Sequence, residues 1–92
     1  MESVKTSVQV PCSISGRYAH RFVYAIQSLS SSIFITHGGR TVNAKSLLGV
    51  LSLQLKEKDV VDISCYGENE NQIASDTQRV GEILTTINKE DN

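Results

Sequence analysis

The segment VKTSVQVPCSISGRYAHRFVYAI, residues 4–26, decides the fold, because the spacing of its apolar side chains changes partway along it. Val4, Val8 and Val10 lie on one parity and polar residues lie on the other, which is typical of a strand with one buried face. Pro11 follows at once and ends the strand, since proline has no N–H to donate to a neighbouring strand. The segment therefore begins with a half-buried strand.

A helix is predicted to follow this strand, from Arg17 to about Leu29. Its apolar residues recur at i, i+3, i+4 and i+7, the spacing that gives a helix one apolar face. Ser15 or Gly16 is the expected N-cap, because both residue types are favoured just before the first helical turn. The residues of the apolar face are Ala19, Phe22, Val23 and Ile26.

The middle of the chain predicts a hairpin and a short second helix. The β-branched and aromatic run SSSIFIT, residues 30–36, is followed by the turn residues HGGR and by a second strand, TVNA. The next run, AKSLLGVLSLQL, residues 44–55, predicts a short helix that begins at Lys45 or Ser46. Two strands and a helix are thus expected after the first strand and helix.

The run DVVDISCYG, residues 59–67, predicts a last strand that ends at Gly67. Its residues alternate, so that one set is expected to face the core and the other to face outward. The inward set is Val61, Ile63 and Cys65, and the outward set is Asp62, Ser64 and Tyr66.

A long final helix is predicted to complete the chain, with Asn69 or Asn71 as its cap. One apolar stripe runs along it, formed by Ile73, Thr77, Val80, Leu84 and Ile87. The element order is then β-α-β-β-α-β-α, which predicts the α+β class. We expect a two-layer open-faced β-sandwich in which a four-stranded antiparallel sheet carries three helices on one face, with residues 1–92 as a single domain.

Composition and charge limit the classes of partner. Nine Lys and Arg against ten Asp and Glu give a formal net charge of -1, so no general attraction to nucleic acid or to an acidic membrane surface is expected. No signal peptide and no run long enough to span a bilayer is visible, which predicts a cytoplasmic protein. Cys12 and Cys65 are expected to be free thiols, and no metal or cofactor is implied.

The second helix has more leucine than a short helix on a sheet can bury. Leu47, Leu48 and Leu51, with Val50 and Leu53, point to every side, so some of them must face water. Two interpretations stay open at this point. Either neighbouring loops cover these side chains, or they form an exposed docking patch, since clustered exposed apolar groups tend to mark interfaces.

Ser46 opens this helix directly after Lys45. It is a satisfactory N-cap and needs no further role. A phosphate on its hydroxyl would also be favoured there by the helix dipole and by Lys45, and would add about two negative charges at the edge of the apolar patch. Such a site could switch docking on or off.

The residues quoted so far resemble those of the HPr family, the histidine-containing phosphocarriers of the bacterial sugar phosphotransferase system, and most closely its regulatory branch, Crh. The strongest part is TVNAKSLLGVLSL, residues 41–53, which is similar to the segment around the regulatory serine of that family. The resemblance covers nearly the whole chain. It implies the same element order as the one read from the periodicities. Further matching positions include Arg17, Ala19, Phe22, Gly39 and the run YGENE.

One departure from the family pattern concerns its chemistry. Where the family has G-[LIM]-H-[TA]-R-P-A, this chain reads SISGRYA, so Ser15 stands at the position of the phosphorylated His and Tyr18 replaces the Pro. Arg17, which helps to bind phosphate in the family, is retained. Ser15, Gly16 and Arg17 are therefore expected to form a degenerate phosphocarrier site. His20, one turn further along the helix, is the alternative acceptor.

The resemblance implies a regulatory protein of carbon catabolite repression, not an enzyme, that is phosphorylated on Ser46 by HPr kinase/phosphorylase. The implied partner is a LacI-type catabolite-control transcription factor. Partner contacts are expected from Arg17, His20, Lys45, Leu47, Leu48 and Leu51. The alternative is a working phosphocarrier that takes phosphate from enzyme I on His20 or Ser15, with enzyme I as its partner.

Overall fold

The first strand forms where the alternation of valines predicts it. In the structure, a computed structural model that describes residues 1–89, β1 spans Glu2–Gln9, with Val4 and Val8 half-buried between exposed neighbours. Val10 follows at 1% exposure. Its backbone N–H donates to the carbonyl of Asp59, so the chain stays anchored up to the residue before Pro11.

The first helix, α1, spans Gly16–Ile26, and all four residues predicted for its apolar face are buried. It ends three residues before the predicted end at Leu29. The last turn tightens, because the N–H groups of Gln27 and Leu29 donate to carbonyls three residues earlier instead of four. The chain leaves the helix there and turns toward the next strand.

The predicted hairpin is confirmed, with β2 at Ser32–His37 and β3 at Arg40–Asn43. Its turn consists of Gly38 and Gly39, whose φ angles are 58° and 79°. Two positive φ values in a two-residue turn match the right-handed twist of the flanking strands, and glycine adopts them without steric cost.

The second helix, α2, spans Leu47–Ser52 and begins where the sequence predicts, with Ser46 as its N-cap. It is shorter than predicted. The N–H groups of Leu53 and Gln54 bond to carbonyls three residues back, and Gln54 has a φ of 50°, which is incompatible with a further helical turn.

The last strand, β4, spans Val60–Gly67, and the final helix, α3, spans Glu70–Thr85 with Asn69 as its cap. The sheet order is β1-β4-β2-β3, and every neighbouring pair is antiparallel. This is the four-stranded antiparallel sheet with three helices that the sequence predicts. Because β4 is an interior strand, its neighbours Lys5 and Phe34 cover Ser64, so this residue of the outward set is only 8% exposed.

The core lies between one face of the sheet and the helices, where residues of all three helices are buried together with alternate residues of the strands. The five residues predicted for the stripe of α3 are all buried, including Ile87, which lies two residues past the end of that helix. Within residues 1–89, no buried side-chain nitrogen or oxygen is left without a hydrogen-bond partner. The largest fully buried side chains are Phe22, Ile14, Ile26, Ile33, Ile35, Ile63, Ile73 and Leu84.

One charged side chain lies inside this structure. Asp76 on α3 is 2% exposed, and its carboxylate accepts hydrogen bonds from the N–H and hydroxyl of Ser31 at 3.1 and 2.6 Å and from the amide of Gln72 at 2.8 Å. Burial raises the pKa of Asp76, but these hydrogen bonds and the charge of Lys45 outweigh burial, so that the pKa is lowered. Asp76 thereby ties the start of β2 to α3.

Removing this carboxylate should cost much more stability than removing an exposed one. We expect Asp76→Ala to lower the free energy of unfolding by about 3 kcal/mol, because two buried donors of Ser31 and the amide of the exposed Gln72 lose their acceptor. Asp62→Ala, which removes one bond from the Ser7 hydroxyl, should cost under about 1 kcal/mol.

Since the folded pKa of Asp76 is lowered, the contribution of Asp76 to stability is complete above its ordinary pKa and is lost as pH falls through the folded value. Urea unfolding from pH 7 to pH 2.5 should therefore show a steeper loss for the wild type than for Asp76→Asn, and equal slopes would contradict this assignment.

Strain is concentrated in the loop between α2 and β4. Gln54 and Lys58 are the non-glycine residues with positive φ in the described part of the chain, at 50° and 75°. Side chains with a Cβ adopt this region at a cost of about 1 kcal/mol or more. The backbone around Lys58 is held in place nonetheless, because its N–H donates to the carbonyl of Val10 at 2.8 Å.

Glycine at position 58 should relieve this strain. We expect Lys58→Gly to raise the free energy of unfolding by about 0.5–1 kcal/mol, whereas Glu57→Gly next to it should lower it by a similar amount, since only position 58 has positive φ. Both residues are exposed and charged, so the pair separates backbone strain from the general cost of glycine. Chemical denaturation of the two variants measures the difference, and a loss of stability in both would refute the strain.

Candidate functional site

The start of α2 presents the hydroxyl of Ser46 to solvent. Ser46 is exposed, has extended φ and ψ of -100° and 117°, and accepts a hydrogen bond on its Oγ from the N–H of Gly49 at 3.1 Å. Its own carbonyl accepts the N–H of Val50 at 3.0 Å. The hydroxyl is therefore accessible, held in one orientation, and directed at the N–H groups of the first turn, which favour negative charge.

Lys45 does not bond to the Ser46 hydroxyl. Its Nζ donates to the backbone carbonyl of Leu29, in the segment that follows α1, and its own carbonyl accepts the side-chain amide of Gln27 at 2.9 Å. Lys45 is half-buried as a result. The sequence places a free ammonium beside Ser46, whereas tertiary contacts hold it against the end of α1.

The three leucines predicted to dock a partner differ in exposure. Leu47 and Leu51 are half-buried and pack against the core, and Leu48 is 79% exposed. Val50 at 0% and Leu53 at 7% belong to the core. Both interpretations of the leucine-rich helix therefore apply in part: the fold covers four of these side chains at least partly and leaves Leu48 in water.

The start of α1 has a different geometry from the start of α2. Ser15 occupies the N-cap position with φ and ψ of -136° and 163°, but its side chain makes no capping bond, and Gly16 begins the helix at a φ of 46°. Arg17 lies with its guanidinium carbon 4.9 Å from the ring centre of Tyr18, and Arg21 lies 5.5 Å from the same ring. Tyr18, at the position where the family has Pro, thus stacks with two arginines.

Two exposed residues of α1 were missed by the analysis of the sequence. Tyr24 is 77% exposed, and Gln27 three residues later reaches across to Lys45. The signal for Tyr24 was present, since it is an aromatic residue outside the apolar stripe of α1. His20, one turn before Tyr24, is exposed, and its ring has no hydrogen-bond or ion-pair partner among residues 1–89.

The two helices lie side by side and run in opposite directions. The segment before α1 contacts the segment after α2, because the N–H of Ile14 donates to the carbonyl of Leu55. The end of α1 contacts the start of α2, because the side-chain amide of Gln27 donates to the carbonyl of Lys45. The residues around Ser15 and those around Ser46 therefore lie toward opposite ends of the pair. The hydrogen bond from Gln27 to Lys45 joins the residue before Ser46 to the C-terminal end of α1.

Other reactive groups offer little chemistry. Both cysteines are free thiols, as predicted; Cys65 is buried, and burial raises the pKa of its thiol, which disfavours the nucleophilic thiolate. Among residues 1–89 no three His, Cys, Asp or Glu side chains come together as a metal site, and no helix there is long and apolar enough to cross a bilayer.

Comparison with known proteins identifies the family. The family model described as "PTS HPr component phosphorylation site" matches residues 3–81. The HPr-like protein Crh of Bacillus subtilis is 31% identical over 72 residues, which cover 78% of this chain and 85% of that protein. The phosphocarrier protein HPr of Buchnera aphidicola from Acyrthosiphon pisum is 31% identical over 68 residues, covering 74% of this chain and 80% of the relative.

The solved structures agree with the sequence relatives. The crystal structure of a phosphocarrier protein HPr from Bacillus anthracis superposes with a TM-score of 0.76 at 29% identity, covering 95% of this chain and 98% of that one. The predicted fold class and the predicted resemblance are both confirmed by this match.

Two N-cap serines of different geometry allow a direct stability test. We expect Ser46→Ala to lower the free energy of unfolding by about 1 kcal/mol, because the N–H of Gly49 loses its acceptor. Ser15→Ala should change it by less than about 0.3 kcal/mol, because the Ser15 side chain makes no capping bond. Thermal and urea unfolding of both variants provide the measurement. A larger cost at position 15 than at position 46 would contradict the capping geometry.

Proposed function

The chain belongs to the HPr family, and we propose that it is a regulatory member of that family, phosphorylated on Ser46 and without histidine-based phosphotransfer. The observation that supports this most is the geometry of Ser46: an exposed, fixed hydroxyl at a helix start, two residues before the exposed Leu48. A phosphate there would gain from the N–H groups of the first turn and would change the charge beside Leu48 by about -2.

The chemistry at position 15 supports a regulatory role over a relay role. A phosphoimidazole has a good leaving group and passes its phosphoryl group on, whereas a serine ester lacks that leaving group and retains it. Nothing next to Ser15 in sequence provides a base to activate its hydroxyl, and Tyr18 fills the position of the family's Pro. Phosphate on this chain would therefore be stored as a signal.

The surface around Ser46 supports docking of a protein partner. Leu48 and Tyr24 are the large apolar side chains that α2 and α1 leave in water, and the Gln27 amide donates to the Lys45 carbonyl between the end of α1 and the start of α2. Exposed apolar anchors inside a polar rim are typical of transient interfaces. The added phosphate would then decide whether this surface binds.

The proposed reaction partner is HPr kinase/phosphorylase, and the proposed target of the phosphorylated form is a LacI-type catabolite-control transcription factor, so that the chain acts in carbon catabolite repression in the cytoplasm. The chain is then a substrate of kinases and not an enzyme itself. It acts on transcription through a protein partner, since its net charge of -1 gives it no attraction for nucleic acid or membranes.

One observation favours a second candidate function, that of a working phosphocarrier. His20 is exposed on the first half of α1, and its imidazole has no hydrogen-bond or ion-pair partner within residues 1–89. In this alternative, His20 or Ser15 accepts the phosphoryl group from enzyme I. The retained Arg17, two residues after Ser15, would then bind the phosphate.

Two phosphorylation reactions distinguish the candidates. With ATP and HPr kinase/phosphorylase, we expect the chain to gain one acid-stable phosphate, which is absent from Ser46→Ala and retained in the matched variant Ser52→Ala on the same helix. With phosphoenolpyruvate and enzyme I, we expect no phosphate, neither an acid-labile one on His20 nor an acid-stable one on Ser15. Mass spectrometry before and after acid treatment measures both.

Each alternative outcome has a definite meaning. Label that persists in Ser46→Ala would remove Ser46 as the site. Acid-labile label from enzyme I that is lost in His20→Ala would establish the phosphocarrier instead.

A further inference from the structure

The segment between α1 and β2, residues 27–31, is held by contacts that no regular secondary structure supplies: the Gln27 amide donates to the Lys45 carbonyl, and charged side chains hold the segment at two further points. At one point the ammonium of Lys45 donates to the carbonyl of Leu29. At the other, the N–H and hydroxyl of Ser31 donate to the buried carboxylate of Asp76. We call this segment the α1–β2 connection; Lys45 binds it from the start of α2, and Asp76 binds it from α3.

The two points are coupled electrostatically. The positive charge of Lys45 is close enough to Asp76 to contribute to the lowered pKa of that carboxyl, after the larger effects of burial and of the bonds from Ser31 and Gln72. Lys45 therefore supports the α1–β2 connection twice, by its bond to Leu29 and by favouring the charged acceptor of Ser31. A lysine that left this position would weaken both.

The residue that follows Lys45 is the proposed phosphorylation site. The bond from Lys45 to Leu29 joins a charge to a neutral carbonyl, whereas a phosphate on Ser46 would offer about two negative charges to the same ammonium. Lysine has a flexible four-carbon stem, so its ammonium can change partners while its backbone stays fixed by Gln27.

From these contacts we propose that Lys45 transmits phosphorylation of Ser46 to the α1–β2 connection: its ammonium leaves the Leu29 carbonyl for the phosphate, and the connection at residues 27–31 loosens. This inference rests on the proposed function, because it takes Ser46 as the modified residue. It deepens that function by naming how the signal leaves the site. The affected region lies at the C-terminal end of α1, on the side of the helix pair where Ser46, Tyr24 and Leu48 lie.

Amide exchange of Ser31 tests this directly, because its N–H donates to Asp76 at 3.1 Å. Phosphoserine is placed at position 46 during synthesis of the full chain, so that the result does not depend on any kinase accepting the protein. We expect the phosphate to speed exchange of the Ser31 amide about tenfold, the loss expected for one charge-supported hydrogen bond. Amides of β4 serve as the internal reference and should not change.

Variants at Lys45 then assign the effect. In Lys45→Met the Ser31 amide should already exchange about tenfold faster without phosphate, and phosphate should add nothing. Lys45→Arg should respond like the wild type, as should the matched control Arg40→Gln, which removes the cation bonded to Ser52 at the other end of α2. The comparison of the phosphorylated with the unphosphorylated wild type needs no variant. An unchanged Ser31 rate in the phosphorylated wild type, or an undiminished response in Lys45→Met, would overturn the proposal, whichever protein phosphorylates Ser46.

Discussion

A sheet that buries one face must cover that face with its helices, and the rest of this structure follows from that constraint. Apart from the exposed Val60, the valines and isoleucines of the four strands lie in the core or against it, and residues of all three helices are buried with them. The short helix α2 fills the remaining space with Val50 and Leu53. It thereby lies antiparallel to α1, with its N-terminus beside the end of that helix.

The polar chemistry of the protein is arranged around this packing. Where the α1–β2 connection passes over the core, the buried carboxylate of Asp76 and the ammonium of Lys45 satisfy backbone groups that no strand or helix can reach. Ser46 stands at the surface end of the same cluster. A phosphate on the exposed hydroxyl of Ser46 would thus lie one residue from Lys45, whose charged side chain is half-buried.

The two helix starts of this chain differ in the way their serines are used. Both Ser15 and Ser46 occupy N-cap positions, but only Ser46 caps its helix with its side chain. The position that holds a reactive imidazole in the family holds a hydroxyl here, with two arginines stacked on Tyr18 beside it. Membership in the HPr family fixes the fold, whereas the residues at and around position 15 are the basis of the proposed regulatory role.

The sequence by itself determined the order of elements, the inward faces of β1, α1 and α3, the turn at Gly38 and Gly39 and the cap at Ser46, because alternation, helical spacing and capping are local properties of neighbouring residues. Only the tertiary structure decided that Lys45 binds Leu29, that Ser64 is covered and that Leu47 and Leu51 are half-buried while Leu48 remains in water. Each of these depends on which segment packs against which, through contacts between residues 16 or more positions apart or through the place of a strand within the sheet. The periodic pattern of residue types along the chain does not show which of these distant residues come into contact.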